Sequence, residues 1–270
     1  MMRGLHTPVR AIRRRVFKEV AQLGFKADED TLLADMEAIP YAIVNEDSEK
    51  YRESVYRARA IVRERLRLAM GLSLRPENKP VHLTAGVEAS NISEKYYEPP
   101  LMQVIPSACE SCEENKYEVS NICKGCLAHP CQEVCPKDAI SMVNGRSYID
   151  QEKCIKCGKC KSVCPYDAIA KKERPCQKAC GVNAIKSDKM GRAYIDNEKC
   201  VSCGMCMVSC PFGAISDKSQ IFQLARALSE GENVIAEIAP AFVGQFGDNI
   251  TPRNIKAALR ELGFSAFDTF

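Results

Sequence analysis

The amino-terminal part of the chain alternates apolar and polar positions with the period of α-helices. From Val9 to Leu23 the apolar residues recur at steps of three and four, which predicts an amphipathic helix with Gly24 at its carboxyl end. A second, short helix is predicted over Asp30 to Ala38, because Pro40 would stop it.

A longer helix is predicted from Ser48, a residue suited to the N-cap, to the residue before Gly71. Its apolar face consists of Tyr51, Val55, Ala58, Val62, Leu66 and Ala69. Its other face carries Arg52, Arg59, Arg63 and Arg67. Such a face is expected to be solvated, and contact with an acidic partner is the less favoured interpretation. The helices of residues 1–71 are therefore expected to have a packing role only.

The pattern changes twice more along the chain. Between residues 72 and 108 the periodicity fades and five prolines occur, which predicts an extended connection over the surface of a neighbour. After the middle of the chain, Ser219 to Leu228 predicts a helix, Asn233 to Ile238 a buried strand, and Thr251 to Leu262 a helix that is followed by the start of a strand. Because so few elements cannot form a core alone, residues 218–270 are expected to open a larger α/β domain.

Composition places the chain among soluble globular proteins. Its hydrophobic share of 46% and charged share of 27% exclude a disordered or collagen-like chain. The formal net charge of +3 is too small to favour nucleic acid or an anionic membrane as a partner. No run of 18 apolar residues occurs, and Lys18 and Glu19 interrupt the stretch that a secretory signal would need. We therefore expect a cytoplasmic protein, whose thiols stay reduced.

All sixteen cysteines lie between Cys109 and Cys210. In a reducing compartment such clustered cysteines are metal ligands more often than disulfides. The region repeats a short frame of Cys, Pro or Gly, two residues, Ala and Ile, whose four copies begin at Cys135, Cys164, Cys180 and Cys210. The segment Tyr148 to Cys154 also returns as Tyr194 to Cys200, 46 residues later. The region is therefore a duplication of a duplication.

Two of the units carry a complete set of cysteines, spaced by two, two and three residues, with a proline after the last. They are Cys154, Cys157, Cys160 and Cys164, and Cys200, Cys203, Cys206 and Cys210. This is the run of bacterial ferredoxins, in which a tight loop presents three thiolates to one 4Fe-4S cluster and the fourth cysteine binds the other cluster of the pair. A single Cys-x2-Cys also serves zinc or a redox dithiol, whereas two full runs are specific.

The exchange of the fourth cysteine predicts four ligand sets. The first full run pairs with an upstream run, which gives one cluster on Cys123, Cys126, Cys131 and Cys164 and a second on Cys135, Cys154, Cys157 and Cys160. The second full run gives a third cluster on Cys180, Cys200, Cys203 and Cys206 and a fourth on Cys109, Cys112, Cys176 and Cys210. In this scheme residues 119–172 form a ferredoxin unit that is inserted into another unit, and no cysteine is left over.

Other interpretations of these residues are weaker. Zinc has no use for a third cysteine at this spacing or for a proline after a fourth, and a disulfide scaffold conflicts with the missing signal sequence. His129 lies close enough to serve a cluster, but the ligand sets are complete without it, so a structural role or a hydrogen bond to a sulfur is favoured. The lysines of the cluster loops are expected to offset the negative clusters, with a solvated surface as the alternative. They are Lys153, Lys156, Lys159, Lys161 and Lys199.

The carboxyl-terminal residues resemble the opening of the catalytic domain of iron-only (FeFe) hydrogenases. The resemblance lies in Glu237 to Ala241, Leu259 to Phe264 and Asp268. The whole chain is similar to the amino-terminal portion of a monomeric hydrogenase of this family, which implies ferredoxin-like domains that feed a catalytic domain. That family holds its catalytic H-cluster with cysteines further along, and no cysteine follows Cys210 here. These 270 residues alone are therefore not expected to catalyse hydrogen chemistry, and no catalytic residue is predicted.

The sequence thus predicts an α+β protein with a helical region (1–71), a connection (72–108), nested tandem ferredoxin units (109–217) and the start of an α/β domain (218–270). Its expected function is to relay single electrons through four 4Fe-4S clusters. The expected partners are a soluble ferredoxin or flavodoxin and a hydrogenase catalytic domain or another oxidoreductase, with neither nucleic acid nor membrane. A self-contained polyferredoxin that docks on a separate enzyme is the alternative. A cluster-based sensor is less favoured, because neither an incomplete cluster site nor a nucleic-acid-binding element is evident.

Overall fold

The computed structural model describes residues 6–26, 29–45, 52–91, 99–247 and 249–269. The chain forms two compact units. One, called the cysteine unit below, consists of residues 109–211, and the other, called the helical unit, consists of residues 2–108 and 212–270. Among the described residues, no helix is both long and apolar enough to cross a lipid bilayer.

The elements are numbered in chain order. The helices are α1 (Pro8–Lys26), α2 (Glu29–Ile43), α3 (Val55–Ala69), α4 (Val87–Ser90), α5 (Pro130–Glu133), α6 (Lys159–Val163), α7 (Pro175–Lys178), α8 (Met205–Ser209), α9 (Ile221–Ser229) and α10 (Pro252–Glu261). The strands are β1 (Met102–Val104), β2 (Lys116–Val119), β3 (Ile140–Val143), β4 (Arg146–Ile149), β5 (Ile169–Lys172), β6 (Ile185–Ser187), β7 (Ala193–Ile195), β8 (Ile215–Asp217), β9 (Ile235–Ile238) and β10 (Ala266–Thr269).

The core of the helical unit lies between α1, α2, α3 and α9. Its most completely buried large side chains are Val16, Val20, Met36, Val62, Leu66, Met70 and Phe222. The spacing of Val16 and Val20 puts them on one face of α1, so the amphipathic pattern predicted from the sequence is confirmed. Burial of large apolar side chains on this scale, at about 1.5–3 kcal/mol each, is what stabilises these helices.

Gly24 lies inside α1 and is buried, so its prediction as the carboxyl end of the helix is wrong. A Cβ atom at this position would stand 2.7 Å from the Cβ of Ala225 and 2.7 Å from the carbonyl oxygen of Phe222. The missing side chain therefore lets α1 and α9 approach each other closely. This approach joins segments about 200 residues apart, which no local pattern could reveal.

The prediction that α2 stops before Pro40 is also wrong, because α2 continues to Ile43 with Pro40 inside it. A proline removes one helical hydrogen bond, and core packing compensates for this loss. Ile39 and Ile43 are both buried on this last turn. In addition, Arg15 donates hydrogen bonds to the carbonyl oxygens of Ala42 at 3.0 Å and Ile43 at 3.1 Å, which satisfies the end of the helix.

The long helix α3 begins at Val55 and not at Ser48. Ser54 is its N-cap, because the Ser54 hydroxyl accepts the backbone N–H of Tyr56 at 3.2 Å and of Arg57 at 3.5 Å. Ser48 and Tyr51 lie outside the described residues. Gly71 follows the helix in the left-handed region at φ +77°, as its position at the end predicted.

Of the arginines predicted to form a solvated face, Arg52, Arg59 and Arg67 bind carbonyl oxygens, so that expectation is wrong for them. Arg63 donates an exposed hydrogen bond to the hydroxyl of Tyr41 at 3.0 Å. The Arg67 side chain is buried and donates to the carbonyl oxygens of Leu83 at 2.7 Å and Ala85 at 2.8 Å. Arg59 donates to the carbonyl oxygen of Val44 at 2.9 Å. The five N–H groups of a guanidinium can donate to carbonyl oxygens of irregular segments that have no backbone N–H as a partner. In this way the arginines of α3 bind the loops around the helix.

The segment from Leu72 to Ala108 is partly regular. It contains α4 and β1, and it contributes Leu72, Leu83 and Val87 to the hydrophobic core. β1 pairs antiparallel with β8, with Met102 opposite Asp217. The segment therefore contributes buried apolar side chains to the helical unit, and it also leads the chain into the cysteine unit.

The predicted elements after residue 217 are present. α9 and α10 lie at the predicted helices, and Thr251 caps α10, with the Asn254 side chain completing the capping box. β9 and β10 form a parallel pair in which Ile235 lies opposite Ala266. The prediction of a buried strand is wrong for Ile235, which is 62% exposed.

The cysteine unit consists of small antiparallel pairs and four short helices, α5 to α8. β2 pairs with β5, β3 with β4 and β6 with β7. In the first half Tyr117, Ile140, Ile149 and Ile169 form an apolar cluster together with Cys131 and Cys160. The cysteines are thus held by an apolar core, and the general prediction of a mixed α and β structure is confirmed.

Candidate iron-sulfur sites

The first hollow of the cysteine unit is lined by the four cysteines of the first predicted ligand set. They are Cys123, Cys126, Cys131 and Cys164. The apolar wall of the hollow includes Val119 and Ile169. Cys164 comes from the full run downstream, and the other three cysteines come from the upstream run.

The second hollow mirrors the first. It is lined by Cys135, Cys154, Cys157 and Cys160, the second predicted set. Here Cys135 comes from the upstream run and the other three from the full run. The two runs therefore exchange their fourth cysteines in space, which is the geometry that a pair of 4Fe-4S clusters requires.

Each of the short helices α5 to α8 carries one cysteine at its second residue. These are Cys131, Cys160, Cys176 and Cys206, and all four are buried. Cys131 and Cys176 share the local sequence Pro-Cys-Gln, whereas Cys160 and Cys206 belong to the two full runs. Cys176 thus occupies the place of a third cysteine in a run, although no cysteine pair directly precedes it.

The residue before the second cysteine of each run adopts the left-handed region of the backbone. Ser111, Gly125, Lys156 and Ser202 have φ between +46° and +58°. Residues other than glycine seldom adopt this region, so its recurrence marks one loop conformation. The loop of Cys109 and Cys112 shares it with the three other runs, although it lies far from Cys176 in the sequence.

A second recurrent turn follows the fourth cysteine of each run. Asp138, Asp167, Asn183 and Gly213 have φ between +46° and +59°, and Asp, Asn and Gly are residues that tolerate this conformation. The turn aims the backbone N–H of the next alanine at the cysteine. Three of these bonds are Ala139 to the Sγ of Cys135 at 3.3 Å, Ala168 to Cys164 at 3.4 Å and Ala184 to Cys180 at 3.2 Å.

The cysteines of the fourth predicted set influence one another electrostatically. Burial raises the pKa of the Cys112 thiol, and the thiols of Cys210 and Cys109 raise it further. Burial raises the pKa of Cys176 to about 12, and Cys210 again contributes. The fold therefore gathers Cys109, Cys112, Cys176 and Cys210 into one neighbourhood. Because a ligand thiol must be deprotonated, a bound metal group has to offset these raised pKa values.

The third predicted set is described less completely. Burial raises the pKa of Cys206 to about 11, a hydrogen bond from the N–H of Met207 lowers it, and the thiols of Cys200 and Cys203 raise it. These three cysteines therefore share one loop and helix, like those of the first full run. The assignment of Cys180 to the same set stays a prediction.

Ser147 is a residue that the sequence analysis missed. The pKa of Cys123 is lowered, because hydrogen bonds from the N–H groups of Ser147 and Gly125 and from the Ser147 hydroxyl outweigh the effect of burial. The Ser147 Oγ also lies 3.3 Å from the Sγ of Cys131. Its position before the repeated Tyr-Ile-Asp segment was the available signal. In the second copy Ala193 occupies that position, and its N–H donates to Cys109 at 3.4 Å.

The donor chemistry of the sites fits a 4Fe-4S cluster. All sixteen cysteines are free in the structure, so each can serve as a ligand. Over the described ranges, no three Cys, His, Asp or Glu side chains stand close enough together for a single bare metal ion. A cluster of four irons is larger than one ion, and four thiolates in an apolar hollow are the ligands it takes.

The polar residues near the hollows have supporting positions. His129 is the N-cap residue of α5 and is absent from the lining of the first hollow, so it is not needed as a ligand there. Lys153, Lys156, Lys159 and Lys161 are exposed at the loop of the second hollow. Cys157 and Cys203 are the exposed cysteines, and each is the second cysteine of a full run.

Two family models match the cysteine-rich region. The model of the LdpA Fe-S cluster-binding domain matches residues 123–174, and a 4Fe-4S binding domain matches residues 193–216. Both lie where the paired cysteine runs occur. These matches support iron-sulfur binding of the ferredoxin type.

Curated proteins match the same region. An uncharacterised ferredoxin of Methanocaldococcus jannaschii is 33% identical over 30% of this chain and 63% of its own length, and the electron transport protein HydN of Escherichia coli is 37% identical over 26% and 41%. The 7Fe ferredoxin of Hydrogenibacillus schlegelii is 43% identical over 20% of this chain and 68% of its own length. The chain thus spans less than two thirds of the first two relatives but more than two thirds of the last.

Proposed function

Since this chain belongs, through its cysteine-rich segment, to the ferredoxin family, we propose that it relays single electrons through four 4Fe-4S clusters. Such a cluster, when bound, accepts and returns one electron at low potential. The observation that carries the proposal is the pair of hollows, each lined by four cysteines, between which Cys135 and Cys164 are exchanged. An iron-sulfur electron carrier of the ferredoxin type is the part that the relatives support directly.

The four ligand sets are those predicted from the spacing. The nested set on Cys109, Cys112, Cys176 and Cys210 has three independent supports. Ser111 repeats the loop conformation of the other runs, Cys176 repeats the helical position of Cys131, and Ala193 donates to Cys109. Three local features of the complete sites therefore recur at the site whose cysteines are separated in the sequence by the inserted unit.

In the proposed relay the protein supplies the environment of the sulfurs. Backbone N–H groups of Ala139, Ala168 and Ala184 donate to cysteine sulfurs, and such bonds stabilise the more negative, reduced form. The apolar side chains around the hollows exclude water. Together they tune each site through hydrogen bonds and burial.

The proposed partner is a soluble ferredoxin or flavodoxin in the reducing cytoplasm. It would exchange electrons at the second hollow, where Cys157 and Ile155 are exposed beside Lys156 and Lys159. An exposed sulfur ligand brings a cluster close to the surface, and lysines favour an acidic partner.

A hydrogenase module is the second, finer candidate. In it, the clusters feed a catalytic domain of the FeFe hydrogenase type. These 270 residues cannot hold the H-cluster of such a domain by themselves, because no cysteine follows Cys210. Its support is the parallel pair of β9 and β10 joined through α10, at the segment that resembles that domain. A self-contained polyferredoxin is the competing form. An immunoblot of the producing cells against residues 233–270 separates them: a polypeptide far larger than 30.0 kDa supports the module, and one of that size supports the carrier.

The test of the relay is iron and acid-labile sulfide per chain in anaerobically purified protein, with electron paramagnetic resonance (EPR) after reduction. We expect about sixteen irons and sixteen sulfides with interacting 4Fe-4S signals. Eight to twelve irons, roughly, would mean that the nested unit is incomplete and would favour the sensor. Zinc in place of iron would refute electron transfer.

A further inference from the structure

Arg174 is a buried cation beside the fourth ligand set. Its side chain is 2% exposed, and it lies immediately before α7, two residues from Cys176. It donates four hydrogen bonds, all to carbonyl oxygens. They reach the oxygen of Cys112 at 2.8 and 3.0 Å, that of Gly191 at 2.7 Å and that of Lys186 at 3.4 Å.

The charge of Arg174 has no carboxylate partner in the part of the chain that the structure describes. The neighbouring Glu173 pairs with Lys171 at 2.5 Å and Lys178 at 2.8 Å instead. Taking an unpaired guanidinium out of water is unfavourable, and carbonyl oxygens offset this cost only in part. An anionic group close by would complete the compensation.

The other cysteine-bearing helices have no such cation at this position. The N-cap residue is Arg174 for α7, whereas it is His129 for α5, Gly158 for α6 and Gly204 for α8. The lysines near the second hollow are exposed, so water screens their charge. Arg174 therefore distinguishes the fourth site from the three others.

We propose that Arg174 raises the reduction potential of the cluster bound by Cys109, Cys112, Cys176 and Cys210, so that this cluster is the first of the four to be reduced. The inference rests on the proposed function. A cluster with four thiolates carries a charge of about −2 when oxidised and about −3 after it takes one electron from a donor. A fixed, buried cation stabilises the second state more than the first, because the interior screens charge weakly. No proton has to move.

The experiment is an equilibrium redox titration of the fully loaded protein with dithionite and mediators, followed by EPR. R174M is expected to lower the reduction potential of one cluster by at least about 59 mV, which is a tenfold change in the equilibrium constant of its one-electron reduction. The potentials of the other three clusters should not change. R174K, which keeps the charge, is expected to restore most of that shift. The matched control is K186M, which removes an exposed cation that Asp196 already pairs at 2.8 Å, and no shift is expected.

Two further variants keep the test decisive if R174M loses iron. R174Q is neutral but retains amide donors for the carbonyl oxygens, and it is expected to shift the same potential. C176A in the otherwise unaltered protein is expected to remove the cluster that is reduced first. Unchanged potentials in a loaded neutral variant, or loss of a later-reduced cluster in C176A, would overturn the role of Arg174. Absence of 4Fe-4S signals in the unaltered protein would instead refute the relay itself.

Discussion

The backbone N–H of Ala193 donates to the sulfur of Cys109, 84 residues away in the sequence, at 3.4 Å. Ser147, the counterpart of Ala193 in the first copy, makes the same backbone contact with Cys123. The two copies of the hairpin therefore serve the first cysteine of two different runs. This equivalence supports the proposal that Cys109 is the first cysteine of a run that the inserted unit interrupts.

The double variant C109A/C112A should lose one cluster and leave three. We expect about twelve irons per chain, because a set of four ligands that is reduced to two does not hold a cubane. The matched control, C123A/C126A, should also leave about twelve irons but should remove a different EPR signal. If C109A/C112A retains about sixteen irons, the nested assignment is wrong.

S147A should change one cluster only. The Ser147 Oγ lies 3.3 Å from the sulfur of Cys131, and the Ser147 hydroxyl contributes to the lowered pKa of Cys123. A hydrogen bond to a ligand sulfur favours the reduced state of the cluster. Its removal should lower that potential by roughly 30 mV, about threefold in the equilibrium constant, as measured by EPR titration. The cluster itself should be retained, because Ala193 occupies the equivalent place. The control is S162A. The Ser162 hydroxyl donates to the carbonyl oxygen of Lys159, so its loss should leave the cluster potentials unchanged. An equal shift of potential in S162A would contradict the role of Ser147.

Lys156 should respond to substitution through its backbone. Its φ of +58° is unfavourable for any residue with a Cβ, and most of all for a β-branched one. K156G should therefore be neutral or stabilising, and K156V should destabilise the loop by about 1–2 kcal/mol. The measurement is the rate at which an iron chelator removes the cluster, which should rise in K156V. Equal rates in both variants, each of which lacks the charge, would show that backbone conformation does not matter here.

G24A should destabilise the helical unit. The added Cβ would meet the Cβ of Ala225 and the carbonyl oxygen of Phe222, both at 2.7 Å, so α1 and α9 must separate. Overpacking of this kind costs about 1–3 kcal/mol, which urea unfolding followed by circular dichroism can measure. The double variant G24A/A225G should recover part of the loss, because it removes one of the two clashes. If the double variant is as unstable as G24A, the clash with the carbonyl oxygen of Phe222 alone accounts for the loss of stability.

Several features of the chain could be predicted from local spacing. Cysteines two and three residues apart can be presented by one loop, so the two full runs predicted a cluster of the 4Fe-4S type. The pairing of the first full run with the run upstream of it predicted the exchange of Cys135 and Cys164. The periodicity of α1 and the cap at Thr251 likewise depend on neighbouring residues, and the structure contains both elements. In each case the interacting groups lie within a few residues of one another.

Other features were decided only by tertiary packing. The sequence did not reveal that Gly24 lies against Ala225, that α2 continues past Pro40, or that Arg67 and Arg174 are buried. Each depends on a partner from a distant segment, such as the carbonyl oxygens that Arg67 and Arg174 bind. The sequence by itself determined the chemistry of the cysteines, because that chemistry follows from local chain geometry. The fold alone decided which charges and hydrogen bonds surround each sulfur, because burial and long-range contacts exist only after the chain has packed.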